Sequence, residues 1–195
     1  ENYYLIMEDA DESVEKEYQK LITKRDKLLE EKETIHEMMN EIETRKRELF
    51  LKVFDIINNN FKKVFMTLSA KGEAYLELED PDNPFEAGVQ IKVKLSGRKF
   101  MDIRSLSGGE KTLTALAFIF AIQENDPASF YIMDEVDAAL DKRNSERLSD
   151  LVGEYSKNAQ YIVISHNDGV ISAAENLYGV SMNEHGISKV ISLKI

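Results

Sequence analysis

The stretch Leu106-Ser107-Gly108-Gly109-Glu110-Lys111 reads as a glycine-rich turn opening a helix. The free backbone N–H groups and positive dipole end of such a helix make an anion site. Glycine leaves no side chain in the way of a phosphate, and Ser107 adds a hydroxyl donor. A Ser-Gly-Gly turn is also an ordinary helix N-cap, so alone it carries both readings. Downstream, Phe130-Tyr131-Ile132-Met133-Asp134-Glu135 reads as an apolar strand ending in two adjacent carboxylates. Such a pair repels itself and loses solvation, so a fold keeps it where a cation or a reacting group compensates. In that role Asp134 stands near Mg²⁺, through the ion's water, and Glu135 accepts a proton from an attacking water or orients it. The competing reading is a solvated strand end capping the next helix. Asp137 and Asp141, which follow, favour chemistry.

His166 follows Tyr161-Ile162-Val163-Ile164-Ser165, at the carboxyl end of a second apolar strand. That edge is where α/β sheets hold ligands, and there the imidazole can hydrogen-bond a transferring phosphate. The alternative is a satisfied histidine in a strand-to-helix loop. Arg98, Lys99 and Arg104 form a small basic cluster that reaches phosphate or DNA, or is simply a solvated loop. His36 and His185 receive no role. Together the glycine turn and the acidic strand read as parts of an ATPase with one part missing. No G-x-x-x-x-G-K-[ST] loop occurs, and Gly108-Gly109-Glu110-Lys111-Thr112 has the wrong spacing.

These residues need elements to position them. No Gly or Pro precedes Gly72, and the first sixty or so residues are rich in the helix formers Glu, Lys, Leu and Met. Apolar residues recur at one heptad phase: Val14, Leu21, Leu28, Ile35, Ile42, Leu49, Ile56. The companion seam, Tyr18, Arg25, Lys32, Met39, Lys46, Val53, is mixed. One full and one broken seam predict a coiled-coil helix, or a long solvated helix docked on a globular body. Beyond Leu49 apolar residues spread to more sides, so the helix enters a core there. Asn58-Asn59-Asn60 is expected to end it. Residues 74–79 and 89–95 alternate as antiparallel strands with one wet face, separated by Pro81, Pro84 and Gly88. Residues 112–123 predict a helix buried on several sides. Residues 129–133 and 160–164 predict buried strands, 142–155 a helix with Leu148, Leu151 and Val152 inward, and 170–175 another helix. This alternation predicts a largely parallel sheet flanked by helices. Residues 177–182 and 189–193, around Glu184-His185-Gly186, predict a terminal hairpin.

The totals set bounds. With 195 residues, 43% hydrophobic, one or two domains with a real core are expected. A formal charge of -11 argues against a generic polyanion binder, so DNA contact requires a local basic surface or a partner. The absence of Cys excludes disulfides and thiolate metal sites and agrees with a cytoplasmic location. No apolar run long enough to span a membrane occurs. The start, Glu1-Asn2-Tyr3-Tyr4, is neither a signal peptide nor a natural initiator, as expected of a fragment or an engineered piece.

At this point the residues resemble a family. Leu106–Lys111 resembles the ABC-type signature motif, Tyr131–Glu135 its Walker B strand, Ala138-Ala139-Leu140-Asp141 the D-loop, and Ser165-His166-Asn167 the switch histidine. Transporters of that class follow the acidic pair with Pro-Thr. Here Val136-Asp137-Ala138-Ala139-Leu140-Asp141 follows, which, with Asn176-Leu177-Tyr178-Gly179-Val180-Ser181-Met182, looks like SMC (structural maintenance of chromosomes) proteins. The resemblance implies the C-terminal half of an ABC-type ATPase head, an α/β lobe at 58–195 entered by a coiled-coil stalk helix at 1–57. It implies ATP and Mg²⁺ as cofactors, and an N-terminal head half of the same protein to supply the Walker A loop. Ser107, Gly108 and Gly109 would then bind the γ-phosphate held by a second head. Asp134, Glu135, Asp141 and His166 would serve the nucleotide sites, with Asp134 at the metal and Glu135 and His166 catalytic. A kleisin-type subunit bridging two heads is implied, with the last hairpin as its candidate contact, as is work on DNA in condensation, cohesion or segregation at the chromosome. The alternatives are the head of a related coiled-coil double-strand-break repair ATPase and a non-hydrolysing coiled-coil scaffold.

Overall fold

A computed structural model describes residues 2–69, 72–95, 97 and 99–194, with side chains from residue 14 to residue 193. The elements run, in chain order, α1 (Asn2–Ser69), β1 (Glu73–Leu78), β2 (Val89–Lys94), β3 (Met101–Asp102), a 3₁₀ turn (Ile103–Ser105), α2 (Gly108–Asn125), β4 (Phe130–Asp134), α3 (Lys142–Tyr155), β5 (Gln160–Ile164), α4 (Asp168–Ser172), β6 (Asn176–Met182) and β7 (Ser188–Lys194). The chain divides into two compact units, Glu1–Leu51 and Lys52–Ile195.

The first unit is helix alone. Its seam residues Val14, Leu21, Leu28, Ile35, Ile42 and Leu49 are exposed. An isolated helix gains little from propensity, and its stability comes from packing an apolar stripe. Within this unit the stripe is left uncovered.

In the second unit α1 runs straight through Asn58-Asn59-Asn60 to Ser69, so the expected helix end is overturned. The reason is tertiary. Asn58 Oδ1 accepts the Leu76 N–H at 2.8 Å while its Nδ2 donates to the Leu76 carbonyl at 3.3 Å. One asparagine thus satisfies both Leu76 backbone groups on the outer edge of β1, which would otherwise stand unpaired. Phe61, Val64, Phe65 and Leu68, at helical spacing, then bury completely or nearly so. They join Leu76, Val93, Leu113, Leu116, Phe120, Met133, Leu148 and Leu151 in a single core. Phe61 meets Phe118 edge-on, ring centroids 5.9 Å apart, a favoured aromatic geometry.

The sheets are smaller and less parallel than the sequence predicts. β1, β2 and β3 form an antiparallel sheet with Glu73 opposite Lys94 and Lys92 opposite Asp102. The two-residue β3 is too short for any alternation to betray it. β4 and β5 are parallel, Phe130 opposite Gln160 through Asp134 opposite Ile164. β6 and β7 pair antiparallel from Asn176 opposite Lys194 to Met182 opposite Ser188. Their turn is closed by Gly186, at φ 75°, and by Asn183 Oδ1, which accepts the His185 and Ile187 N–H groups.

Strands β4 and β5 are not buried on both faces as expected. Met133 is buried and Tyr131, Tyr161 and Val163 pack on the core, while Phe130, Ile132, Ile162 and Ile164 are exposed. Inside, Tyr161 stacks on Tyr131 at 5.0 Å and donates to Gln123 Oε1 at 2.8 Å. Burial first, and the neighbouring Tyr131 second, push the Tyr161 phenol up to about 12. Lys99 and Arg104 are exposed, and Arg98 lies outside the described residues. No helix among the described residues is long and apolar enough to cross a membrane.

One buried group stands unsatisfied: Ser145 Oγ, on α3, has no hydrogen-bond partner among the described residues. An orphaned buried hydroxyl carries its desolvation penalty uncompensated. Ser145→Ala is therefore expected to stabilise the chain by about 1 kcal/mol, read as a higher urea midpoint at unchanged slope.

Candidate active site

The parallel register sets the site. Because Asp134 lies opposite Ile164, the segments that follow leave the sheet side by side at its carboxyl edge. The Glu135 N–H continues the ladder to the Ile164 carbonyl at 2.8 Å. Glu135 Oε1 then stands 3.1 Å from His166 Nε2. Residues 31 positions apart, each singled out from the sequence, are thus in contact. The Glu135 backbone is left-handed, φ 48°, and it alone among the described non-glycine residues has positive φ. That conformation costs an L-residue roughly 1–2 kcal/mol and persists where the surroundings enforce it, commonly at functional sites. Asp134, one residue earlier, is exposed at the strand end.

The loop after the acid pair is held tightly. The Ala138 N–H bonds the Glu135 carbonyl at 3.1 Å and the Leu140 N–H bonds the Asp137 carbonyl at 2.9 Å. Asp137 is buried and accepts the Ser165 hydroxyl at 2.6 Å. Asp141 caps α3, its Oδ1 accepting the Asn144 N–H at 2.8 Å. Asn167 caps α4 in the same way, accepting the Gly169 N–H at 2.9 Å. Sequence reasoning assigned no site role to Ser165. The available signal was a hydroxyl directly before His166, meaningful only once Asp137 is known to face it.

The glycine turn does open a helix. Ser107 is the N-cap of α2 and forms a capping box with Glu110: the Ser107 N–H donates to Glu110 Oε2 at 2.8 Å, and Ser107 Oγ accepts the Glu110 N–H at 3.5 Å. The two glycines are not equivalent. A Cβ on Gly109 would lie 2.7 Å from the Ala139 carbonyl oxygen, whereas one on Gly108 would meet nothing within 4 Å. Gly109 therefore admits the 135–141 loop onto the start of α2, and Gly108 keeps the approach from outside open. Gly109→Ala is expected to destabilise the chain by about 1–3 kcal/mol through overpacking. Gly108→Ala is expected to stabilise it by about 0.4–1 kcal/mol, by narrowing the unfolded ensemble. Paired thermal melts read both signs.

The donors fit ATP and Mg²⁺ only in part. No cluster of three or more His, Asp or Glu among the described residues stands ready to cage a metal. Mg²⁺ characteristically keeps several waters and takes one or two carboxylates plus substrate phosphates. The exposed Asp134 meets that demand, and the open end of α2 suits a phosphate. The sequence holds no G-x-x-x-x-G-K-[ST] loop to wrap a triphosphate.

Comparison with known proteins gives the family. A family model described as the RecF/RecN/SMC N terminal domain matches residues 3–189. The chromosome partition protein Smc of Pyrococcus furiosus is 48% identical over 94% of this chain, and that of Methanocaldococcus jannaschii is 42% identical over 93%. The chain spans only 16% and 15% of those two relatives. A crystal structure of the Pyrococcus furiosus Smc head domain with an extended coiled coil, bound to the C-terminal domain of ScpA, superposes with a TM-score of 0.84 at 48% identity, covering 94% of this chain and 46% of that one. A structure from work on ATP-driven dimerization and DNA-stimulated activation of SMC ATPases gives 0.71 at 46% identity, covering 76% of this chain and 89% of that one. The chain therefore belongs to the SMC family, with the mixed α/β fold and coiled-coil helix of an Smc head.

Proposed function

We propose that this chain is the C-terminal lobe of an SMC ATPase head, with residues 1–57 as its stalk and 58–195 as the lobe. The carrying observation is the Glu135–His166 contact, 3.1 Å, at the carboxyl edge of a parallel strand pair. The matching family model is described as an N terminal domain, which taken alone favours the other end of the head. The motif content favours the C-terminal lobe: signature turn, acid pair, D-loop and switch histidine are present and a phosphate-wrapping loop is absent. The naked apolar face of Phe130, Ile132, Ile162 and Ile164 supports the same reading, since parallel strands are normally covered on both faces. The N-terminal lobe of the same protein covers that face and brings the Walker A loop.

In the completed head, Asp134 would hold Mg²⁺ through a water, and the ion would supply screening of phosphate charge. Glu135 takes the proton of the attacking water at its carboxylate, and His166, beside it, donates a hydrogen bond toward the γ-phosphate. Ser107, Gly108 and Gly109 at the open end of α2 meet the γ-phosphate held by a second head, while Asp141 caps the helix after the D-loop. Closure of two heads excludes water, and hydrolysis releases them. The exposed β6–β7 hairpin, with Tyr178, Val180, Met182 and Val190 uncovered, offers a kleisin-type subunit its contact. The Pyrococcus furiosus head structure, bound to a domain of ScpA, supports a partner of that kind. Partition proteins among the relatives support work on DNA in chromosome condensation, cohesion or segregation, at the nucleoid.

Mixing this chain with the N-terminal segment of the same protein and Mg-ATP tests the reading. Slow hydrolysis is expected only from the mixture, with nucleotide-dependent pairing in sedimentation. Hydrolysis by this chain alone, or a mixture indifferent to nucleotide, would overturn it. A Walker A loop encoded downstream of this chain instead of upstream would overturn the lobe assignment alone.

A further inference from the structure

His166 is 88% exposed at its side chain, so packing does not hold it against Glu135. Its backbone neighbours do. Ser165 Oγ donates to Asp137 Oδ2 at 2.6 Å and accepts the Asn167 N–H at 2.9 Å. Those bonds flank His166 on both sides. Asn167 is in turn fixed as the cap of α4, its carbonyl accepting the Val170 and Ile171 N–H groups, each at 3.0 Å. At the other end of the relay Asp137 is only 4% exposed, a buried carboxylate that the chemistry above does not use.

We propose that Asp137 is a positioning residue: through the Ser165 hydroxyl it locks the turn that carries His166, so that the imidazole stays at Glu135. This rests on the hydrolytic reading of Glu135 and His166. The residue types matter. A carboxylate only accepts, so it forces the hydroxyl proton toward itself and leaves the serine lone pairs for the Asn167 N–H. A hydroxyl bound to a carboxylate is among the short, charge-assisted hydrogen bonds, and it polarises the serine oxygen that accepts the Asn167 N–H. The same loop rests on Gly109 through the Ala139 carbonyl. Asp137 therefore ties the D-loop, the start of α2 and the switch turn into one body.

The test is made in the full-length protein, with Asp137→Ala, Ser165→Ala and Ser165→Thr, each alone and combined with His166→Ala. Misplacing a reacting group by about 1 Å costs on the order of 100-fold. Asp137→Ala and Ser165→Ala are accordingly expected to lower kcat about 10- to 100-fold with KM for ATP unchanged within about twofold. Ser165→Thr, which keeps the hydroxyl, is expected to restore kcat. In the His166→Ala background both alanine variants are expected to add nothing, as for members of one unit. Equal losses with and without His166, no rescue by threonine, or a rise in KM matching the fall in kcat would each overturn the proposal. Should Asp137→Ala fail to fold, Ser165→Ala carries the test, read together with its rescue by Ser165→Thr. If His166→Ala and Glu135→Gln themselves leave hydrolysis untouched, the hydrolytic reading fails instead, and the two failures are told apart.

Discussion

Replacing Glu135 with Gln in the assembled head is expected to lower ATP hydrolysis about 100- to 10,000-fold, the usual worth of a positioned general base. Gln has nearly the shape of Glu and keeps the backbone hydrogen bond to the Ile164 carbonyl, but it cannot take a proton. The side chain is half exposed and its contact with His166 lies at the surface, where an ion pair contributes little to stability. The fold should therefore be indifferent to the change, and ATP-dependent pairing should persist and live longer, because release waits on hydrolysis. Phosphate release and sedimentation measure the two arms. A variant that turns over at the unaltered rate would remove Glu135 from its role. Glu135→Gly separates strain from chemistry. Its φ of 48° is free for glycine, so it should gain about 1 kcal/mol of stability while losing hydrolysis as fully as Gln does.

Placing Arg at Ser107 should abolish pairing of the heads. The substitution removes the side-chain half of the capping box, worth about 1 kcal/mol. It sets a positive charge against the positive end of α2, a further cost of about 0.3–1 kcal/mol. It also fills the approach that Gly108 leaves open. The first two effects are local and leave the chain folded, while the third blocks the partner's phosphate. Sedimentation of the Glu135→Gln form with ATP gives the longest-lived pair and hence the clearest contrast. Ser107→Thr keeps the cap and should keep pairing. If Ser107→Arg heads still pair with ATP, the open end of α2 is not where the second head's nucleotide sits.

Much of this was legible one residue at a time. Helix α3 at Lys142–Tyr155 and strand β5 at Gln160–Ile164 lie where the pattern predicts, because amphipathic spacing and a short apolar run are local signals. The acid pair and His166 stood out for a similar reason: ionisable side chains directly after an apolar run are a local signal. Other features were not. Asn58 belongs to a run that reads as a helix stop, yet it becomes a bracket for Leu76. Ser165 is an unremarkable serine until Asp137 faces it. Gly109 reads as a phosphate-approach glycine, and only the fold shows that its bare side also receives the Ala139 carbonyl.

By itself the sequence determined the long first helix with its heptad seam, the order of the longer strands and helices, and the identities of the candidate groups for chemistry. These depend on periodicity and side-chain type, which each segment carries within itself. Only the tertiary structure decided the parallel register that sets Glu135 beside His166, the left-handed backbone at Glu135, and the relay from Asp137 to Asn167. It also decided which strand faces stay bare. Each of those depends on groups distant along the chain meeting in space, and the free energy that selects such a meeting comes from the shared core, not from any one segment.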